Sequence, residues 1–388
     1  MKIVFDRQKI INQAAPLLCA VSNKSTLRSV EGILIDADAS GECIMTTYDT
    51  EKGVRISVDA EVIEGGSYII NAQKFFSTLK VMPGDKVTLT VNDTLQAIFI
   101  SGTSTHKMSA LNGSDFPEIP KLKTNFGFTL SQYVMRNMIT KCAHAMAVAD
   151  TRPILNGCYF NISPEKVTAV SCDSFRLAEC STNADIDNNN ENGQDVKFSF
   201  ILPVRTVNEL YKLLDDDVEK DKKMRIYMSR RQIVFNIGEI TFFSSLIEGQ
   251  YIDFDRIITI PKKCVIELDR AELIEALERA ALITEERIAG SVRSHVKLSI
   301  EGEVLHINAE STAGSTYDRI RVEHEGEDMV IAFNNRYLLD ALRASDSDVT
   351  KITFSSPRSG INIEPCDAEK ADGSKSELFF LLPVMMKK

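Results

Sequence analysis

The chain has 388 residues, 44% of them hydrophobic and 26% charged, which is typical of an ordinary globular protein and predicts two or three domains. A formal net charge of −10 argues, taken at face value, against a nucleic-acid binder, because such proteins usually have a basic domain. No apolar stretch approaches the roughly 18–20 residues that span a bilayer, and the N-terminus turns polar too early for a signal peptide, so we predict no membrane association and a cytoplasmic location.

Each third of the sequence opens with a pattern that predicts a strand followed by an amphipathic helix. These segments are 2–21, 127–146 and 264–283. The predicted helix N-caps are Asp6, Ser131 and Asp269. Alternating residues that predict hairpin strands follow each segment.

A second strand-to-helix step recurs three times, and it carries no catalytic group. It occupies 69–82, 201–214 and 331–344. Lys74, Arg205 and Arg336 hold the same place in these segments, each 131 residues from the next. Such a long period indicates repeated domains, and strands with helices on one face predict an α+β architecture. We predict three repeats at 1–122, 126–257 and 263–388, separated by polar, proline-containing segments.

No motif in the chain predicts catalysis or metal binding. The stretch 36–42, "DADASGE", begins like a calcium loop, but its twelfth position is Thr47 where a glutamate is needed, so we predict a hairpin turn. The eight cysteines include no C-x-x-C pair, and the five histidines show no metal-ligand spacing. We therefore predict a protein that is not an enzyme and has no cofactor and no metal.

Basic residues are common on the predicted helices and at their ends: Lys9, Lys24, Lys74, Lys80, Arg136, Lys141, Arg152, Arg205, Lys212, Arg270, Arg279, Arg336 and Arg343. They form either a basic surface on an acidic protein or an ordinary helix surface of mixed charge. The chain also ends on the apolar run "ELFFLLPVMMKK". That run predicts a final core strand over 379–382, and the methionines after it suit an adaptable apolar binding surface.

Four sequence stretches together carry a family resemblance. They are "SDFPEIP" (114–120), "DTRPILNG" (150–157), "CDSFRLAECS" (172–181) and the terminal "LLPVM" (381–385). With the threefold repeat, they make the whole chain resemble the bacterial DNA polymerase III beta subunits, the sliding clamps. The resemblance implies a head-to-tail homodimer that forms a six-domain ring, with helices inside and sheets outside.

The resemblance also implies a function and its partners. The ring would encircle double-stranded DNA without sequence preference, slide along it, and tether the replicative DNA polymerase as a processivity factor. Further implied partners are an ATP-driven clamp loader and other replication and repair proteins that carry a clamp-binding peptide. The alternative is a multidomain scaffold that binds anionic partners without encircling DNA.

Family positions carry over to three sets of residues in this chain. A partner-peptide groove would be formed by Leu155, Cys172, Ser174, Phe175, Arg176, Leu177, Ile252, Arg256, Ile257, Tyr337, Arg358, Gly360, Phe380, Leu382, Pro383, Val384 and Met385. DNA would be faced by Lys24, Gln73, Lys74, Arg152 and Arg205, and the dimer interface would include His106, Lys107, Leu282 and Ile283.

The chain departs from the family pattern at several of these positions. Relatives commonly read Thr-Asp-Gly-His where residues 172–175 read "CDSF", and proline where this chain has Ile252. Gln73 stands where arginine is frequent, and His106 stands where an aromatic residue is common. The resemblance therefore implies a groove whose peptide preference differs in detail.

Overall fold

The described part of the chain comprises six ranges of the computed structural model: residues 1–22, 25–220, 222–284, 295–312, 314–366 and 375–385. Two predicted features fall outside it. They are Lys24, and the last residues of the apolar C-terminal run, 386–388.

The first third begins with a strand and a helix and contains the first copy of the repeated step. Its strands are β1 (Lys2–Asp6), β2 (Gly32–Ala37), β3 (Cys43–Tyr48), β4 (Lys52–Ser57), β5 (Glu61–Glu64), β6 (Gly66–Asn71), β7 (Lys86–Val91), β8 (Gln96–Ser101) and β9 (Ser104–Asn112). Its α-helices are α1 (Arg7–Ala14) and α2 (Ala72–Val81), with 3-10 helices at Ala15–Ala20, Arg28–Glu31 and Gly113–Asp115.

The second third follows the same order. Its strands are β10 (Gly127–Ser131), β11 (Gly157–Ile162), β12 (Lys166–Cys172), β13 (Arg176–Asn183), β14 (Asp187–Asn188), β15 (Phe198–Pro203), β16 (Lys223–Met228), β17 (Gln232–Ile237) and β18 (Ile240–Ser245). Its α-helices are α3 (Gln132–Cys142), α4 (Val204–Leu213) and the short α5 (Phe254–Ile258), with 3-10 helices at Ala143–Ala145 and Pro153–Leu155.

The last third repeats the order again. Its strands are β19 (Cys264–Asp269), β20 (Val296–Glu301), β21 (Val304–Ser311), β22 (Gly314–Arg321), β23 (Glu323–Gly326), β24 (Met329–Phe333), β25 (Val349–Phe354), β26 (Ile361–Pro365) and β27 (Lys375–Leu381). Its helices are α6 (Arg270–Thr284) and α7 (Asn335–Ala344), which contact each other.

The predicted strand-to-helix steps are confirmed in all three thirds, and local capping explains where the helices begin. Asp6 accepts a hydrogen bond from the backbone N–H of Lys9, and Asn71 accepts one from Lys74. Asn334 caps α7 in the same way. A side-chain oxygen at this position satisfies a backbone donor that the first helical turn leaves unpaired.

The described chain forms two compact units, each with its own sheets. The first comprises 1–133, 186–195 and 209–246, and contains one 14-stranded sheet in which β18 pairs with β4. The second comprises 134–185, 196–208 and 247–388. It contains a nine-stranded sheet, in which β13 pairs with β27, and a four-stranded sheet of β20, β21, β22 and β24. Both cross-pairings join strands from different sequence repeats.

Three sequence predictions about local structure have clear outcomes. The hairpin turn at 36–42 is confirmed, because β2 and β3 pair and Asp38 accepts hydrogen bonds from Ser40 and Glu42 within the turn. The segment 183–195 is acidic and rich in asparagine, a composition that predicts an exposed loop. It is largely exposed but contains the two-residue strand β14. The prediction that Lys141 lies on an exposed helix face is wrong, because its side chain is buried.

Candidate partner groove and DNA-facing residues

A buried apolar cluster in the second unit forms the floor of the predicted groove. It contains four predicted groove residues, Leu155, Cys172, Leu177 and Phe380, and Ile252 packs against it. The remaining members are residues that the sequence did not single out: Ala147, Val170, Ile201 and Tyr251, with Ile154, Tyr159, Ile247, Phe254, Ile258, Ile260 and Leu378 packed against them.

Strand register explains why these residues meet. Leu177 on β13 lies directly opposite Phe380 on β27, so two distant parts of the sequence contribute to one face of the sheet. Gly360 lies against the Phe380 ring, where a Cβ atom would be only 2.1 Å from Cζ. Glycine is therefore the residue that leaves room for this ring.

The turn between β12 and β13 shapes one end of the floor. The carboxylate of Asp173 accepts hydrogen bonds from the backbone N–H groups of Phe175 and Arg176, at 3.0 and 3.1 Å. Ser174 has a φ of +78°, a left-handed conformation that is costly for a residue with a side chain. A glycine at this position would meet no such cost.

The Arg176 side chain is held by contacts within the same chain. Its guanidinium donates to Asp173 at 2.9 Å and to Asp340 at 2.7 Å. It also lies over the ring of Tyr337, 4.1 Å from the centroid. The side chain is mostly buried, so Arg176 fixes β13 to α7 and is not a free polar group for a ligand.

Arg152 is also paired. It donates to the Asp150 carboxylate at 3.1 Å and to the hydroxyl of Ser174. This contact raises the pKa of Arg152 and lowers the pKa of Asp150. A DNA phosphate or an acidic peptide must compete with Asp150 for this guanidinium.

Most other predicted groove residues are exposed apolar or basic side chains around the floor. Leu382, Val384 and Met385 follow β27, and the backbone N–H of Val384 donates to Ala332 at 2.7 Å. Pro383 between them is half-buried. Arg256 and Ile257 are exposed on α5, whose residues Phe254 and Ile258 pack against the floor, and Arg358 is exposed on the turn after β25.

Three of the predicted DNA-facing residues lie at the start of α-helices. Gln73 and Lys74 are exposed in the first turn of α2, while the neighbouring Phe75 and Phe76 are buried. Arg205 is exposed in the first turn of α4. The helical spacing thus separates a buried apolar face from an exposed basic position at both sites.

Many other helix cations are neutralised by nearby acids. Lys9 pairs with Asp59, and three more pairs are Lys212 with Glu209, Arg279 with Asp318, and Arg343 with Glu278. The mixed-charge interpretation therefore holds for these four positions. Any DNA contact made through them requires an existing ion pair to open.

The predicted dimer residues lie on one strand, β9, and on the helix α6, which contacts another strand, β22. His106 and Lys107 are exposed on β9, whose first six residues pair only with β8 among the described residues. Leu282 is 77% exposed near the end of α6, and Ile283 is half-buried. In the same unit as α6, the described part of β22 pairs with β21 alone.

The described residues contain no cluster of three or more His, Cys, Asp or Glu side chains arranged to hold a metal ion. Burial raises the pKa of the Cys43 thiol to about 12, so this cysteine remains an inert apolar side chain at neutral pH. Within the same described ranges, no helix is long and apolar enough to cross a membrane.

Comparison with known proteins assigns the whole chain to one family. Models of the DNA polymerase III beta subunit match in sequence order: the N-terminal domain over residues 1–120, the central domain over 129–253 and the C-terminal domain over 256–374. The chain belongs to the DNA polymerase III beta subunit family.

Individual relatives agree with this assignment. The beta sliding clamp of Staphylococcus epidermidis is 28% identical over 99% of both chains, and that of Staphylococcus aureus is 29% identical over the same share. The crystal structure of the Bacillus subtilis DNA polymerase sliding clamp covers 100% of both chains with a TM-score of 0.89 at 24% identity. Sliding clamps are non-catalytic subunits of the polymerase.

Sequence reasoning missed one buried group beside the predicted groove. The ring of Tyr251 stacks on that of Tyr159 in the floor, with 5.1 Å between the ring centroids. The nearby aromatic residues of "YIDF" (251–254) were the signal that could have revealed it. The position of His144 in the predicted helix "KCAHAMAV" favours a packed or capping histidine over a metal ligand. The side chain is indeed packed, with its ring 5.6 Å from that of Phe379.

The environment of His144 predicts that acid lowers the free energy of unfolding. Burial, reinforced by the charge of Arg176, lowers its pKa to about 4. The unfolded chain takes up this proton near pH 6.5 but the folded chain only near pH 4, so stability is lost as pH falls through that window. Between pH 6.5 and pH 4, we expect the free energy of unfolding of the His144→Leu variant to fall by about 3 kcal/mol less than that of the unaltered protein. Urea unfolding at several pH values measures it, and parallel profiles for the two proteins would contradict it.

Proposed function

We propose that this chain is a DNA replication processivity factor of the DNA polymerase III complex. The observation that carries this conclusion is the threefold repeat of the strand-to-helix step, matched along the chain by the three beta subunit domains. We place the three domains at 1–122, 126–257 and 263–388. A cytoplasmic location, predicted from the sequence, belongs to the same proposal.

Two chains would close into a ring by joining unlike edges. The first six residues of β9 and the strand β22 lie in different units, and within the described ranges each of these segments pairs with one strand only. Pairing β9 of one chain with β22 of another extends both sheets and removes two exposed edges. Because the two edges differ, the contact is head-to-tail, and a ring results when it closes.

Leu282 and Ile283 are predicted to anchor this interface. Replacing both by alanine removes apolar contacts worth on the order of 2–4 kcal/mol each if they are buried between subunits. We expect the double variant to dissociate at low micromolar concentration in sedimentation experiments, whereas the unaltered chain stays dimeric. Val81→Ala, which alters another exposed residue at a helix end, is the control and should leave the dimer intact. A double variant that remains fully dimeric would refute the interface.

Direct attraction to DNA would be weak in such a ring. The chain has a net charge of −10, and several helix cations already pair with acids. Lys74 and Arg205 are exposed cations at predicted DNA-facing positions. Residence on DNA would therefore rest on encirclement, and these side chains would make loose, sequence-independent phosphate contacts.

The groove would tether the partners. Its floor is apolar and buried, which suits Leu and Phe anchors of a short peptide of the Gln-Leu-x-Leu-Phe kind. The proposed partners are the replicative polymerase, an ATP-driven clamp loader and other replication and repair proteins with such a peptide. Holding a polymerase on a ring that cannot leave DNA raises its effective concentration at the primer end.

A primer-extension assay tests the function. On a primed single-stranded DNA circle, the cognate polymerase should make much longer products per binding event when its loader and this protein are both present. An excess of unprimed trap DNA ensures that each product reports one binding event. Product lengths that do not change when the protein is added would contradict the proposal.

A further inference from the structure

A buried amide connects the start of α7 to the end of α6. Asn335 is the first residue of α7 and is only 2% exposed. Its side-chain Nδ2 donates to the carbonyl of Leu277 at 2.9 Å and to the hydroxyl of Thr284 at 3.3 Å. Because burying a polar group costs free energy unless it is hydrogen-bonded, these two bonds hold the side chain in place. Asn335 therefore fixes α6 to α7 at two points.

These two points lie on either side of the predicted dimer anchors in the sequence. Leu277 precedes Leu282 and Ile283 on α6, and Thr284 follows them as the last residue of the helix. Leu277 and Thr284 are buried, whereas Leu282 is 77% exposed. The last turn of α6 is thus held on its buried side, while its opposite side presents an apolar side chain to solvent.

The same end of α6 also lies against β22, the strand that would pair with β9 of the next chain. A Cβ atom at Gly314, the first residue of β22, would be 3.6 Å from Cδ1 of Ile283. The Arg279 guanidinium donates to the Asp318 carboxylate through Nε at 3.1 Å and through Nη2 at 2.9 Å. Arg279 is half exposed, and exposed ion pairs contribute little, so the buried amide is the firmer polar restraint on this end of the helix.

We propose that Asn335 is a positioning residue for ring closure. Its amide holds the last turn of α6 so that Leu282 and Ile283 meet the neighbouring chain together with the edge of β22. This inference rests on the proposed function, because it requires a dimer interface at α6 and β22. Side chains that are already ordered before association lose less conformational entropy when they bind, so loss of the restraint should weaken the dimer by about two- to tenfold.

The dimer dissociation constant of the full-length protein tests the inference. Asn335→Leu keeps a side chain of similar size but removes both hydrogen bonds, and it should raise the dissociation constant by about two- to tenfold. Thr284→Val removes only the hydroxyl acceptor and should give a smaller increase. Sedimentation velocity with fluorescence detection, carried out over a dilution series, measures both.

A second buried asparagine provides a matched control. Asn362 is 7% exposed, and its Nδ2 donates to the carbonyl of Ile258 at 2.8 Å, away from α6. Asn362→Leu therefore makes the same chemical change without touching the end of α6. We expect its dissociation constant to equal that of the unaltered protein. Melting curves of all variants check that each remains folded.

A double-mutant cycle separates positioning of the anchors from a general loss of structure. If Asn335 acts through the anchors, Asn335→Leu should weaken dimerisation less in a Leu282→Ala background than in the unaltered protein, because one anchor is already missing. A general structural effect would be equal in the two backgrounds. Thr284→Val can replace Asn335→Leu in the cycle if the latter variant does not fold.

Several results would overturn the inference. They are an unchanged dissociation constant in a folded Asn335→Leu variant, equal weakening by Asn362→Leu, and equal effects in the two backgrounds of the cycle. If the unaltered protein itself does not form a dimer, the proposed ring fails as well. That result is separate because it needs no variant.

Discussion

Replacing Lys141 by alanine is expected to lower the free energy of unfolding by about 3–5 kcal/mol. Its side chain is only 2% exposed, and Nζ forms ion pairs with Glu377 at 2.9 Å and with Asp346 at 2.5 Å. Glu377 is itself 9% exposed, so the substitution would leave a carboxylate buried without its counter-charge.

The Lys141 effect should also depend on pH in a defined direction. Burial alone would lower the pKa of Lys141, but the two carboxylates outweigh burial and raise it above its usual 10.5. Its contribution is therefore complete below about pH 10.5 and is lost as pH rises through the folded-state pKa. Chemical denaturation at pH 7 and above pH 10 measures both effects.

An exposed lysine provides the control for Lys141. Lys212→Ala removes an ion pair with Glu209 on a helix surface, and such pairs contribute little. We expect no measurable change in unfolding for this variant. Equal stability of the Lys141 and Lys212 variants would show that the buried ion pairs are not important for the fold.

Removing residues 384–388 should weaken binding of a Gln-Leu-x-Leu-Phe peptide to the proposed groove by at least about tenfold while leaving the dimer intact. Val384 and Met385 are exposed apolar side chains that follow the strand carrying Phe380. Covering each of them with ligand is worth on the order of 1.5–3 kcal/mol when burial is complete. Fluorescence anisotropy measures the affinity for the peptide, and sedimentation measures dimerisation. Unchanged peptide affinity would exclude the tail from the groove.

Local sequence patterns predicted the repeated steps because their causes are local. Apolar spacing at 75, 76 and 79 fixes the buried face of α2. Asp6 and Asn71 supply N-cap oxygens that accept hydrogen bonds from backbone N–H groups three residues later. The floor residue Leu177 and its neighbour Phe380 followed from the family resemblance. The structure places that pair in one cluster.

Long-range pairings were not visible in the sequence. Nothing local to β13 indicates that its partner is β27, almost 200 residues later, or that β4 pairs with β18. Lys141 reads as a surface lysine because its two carboxylates come from distant segments. Arg176 reads as a free cation for the same reason, since Asp340 lies on α7.

Encirclement and charge attraction predict different conditions for release of the protein from DNA. Affinity through phosphate contacts falls with a logarithmic slope near −0.9 per neutralised phosphate as salt rises. A closed ring on circular DNA leaves only when a subunit interface opens, so salt that removes phosphate contacts does not release it. On linear DNA the same ring slides off an end.

Retention on DNA therefore tests the central claim most directly. The protein is loaded onto a nicked circular plasmid, and the complex is passed through gel filtration at raised salt before and after a single double-strand cut. We expect the protein to remain with the circle and to leave once the circle is cut. Equal retention on circular and linear DNA, or equal loss from both at raised salt, would contradict a topological clamp.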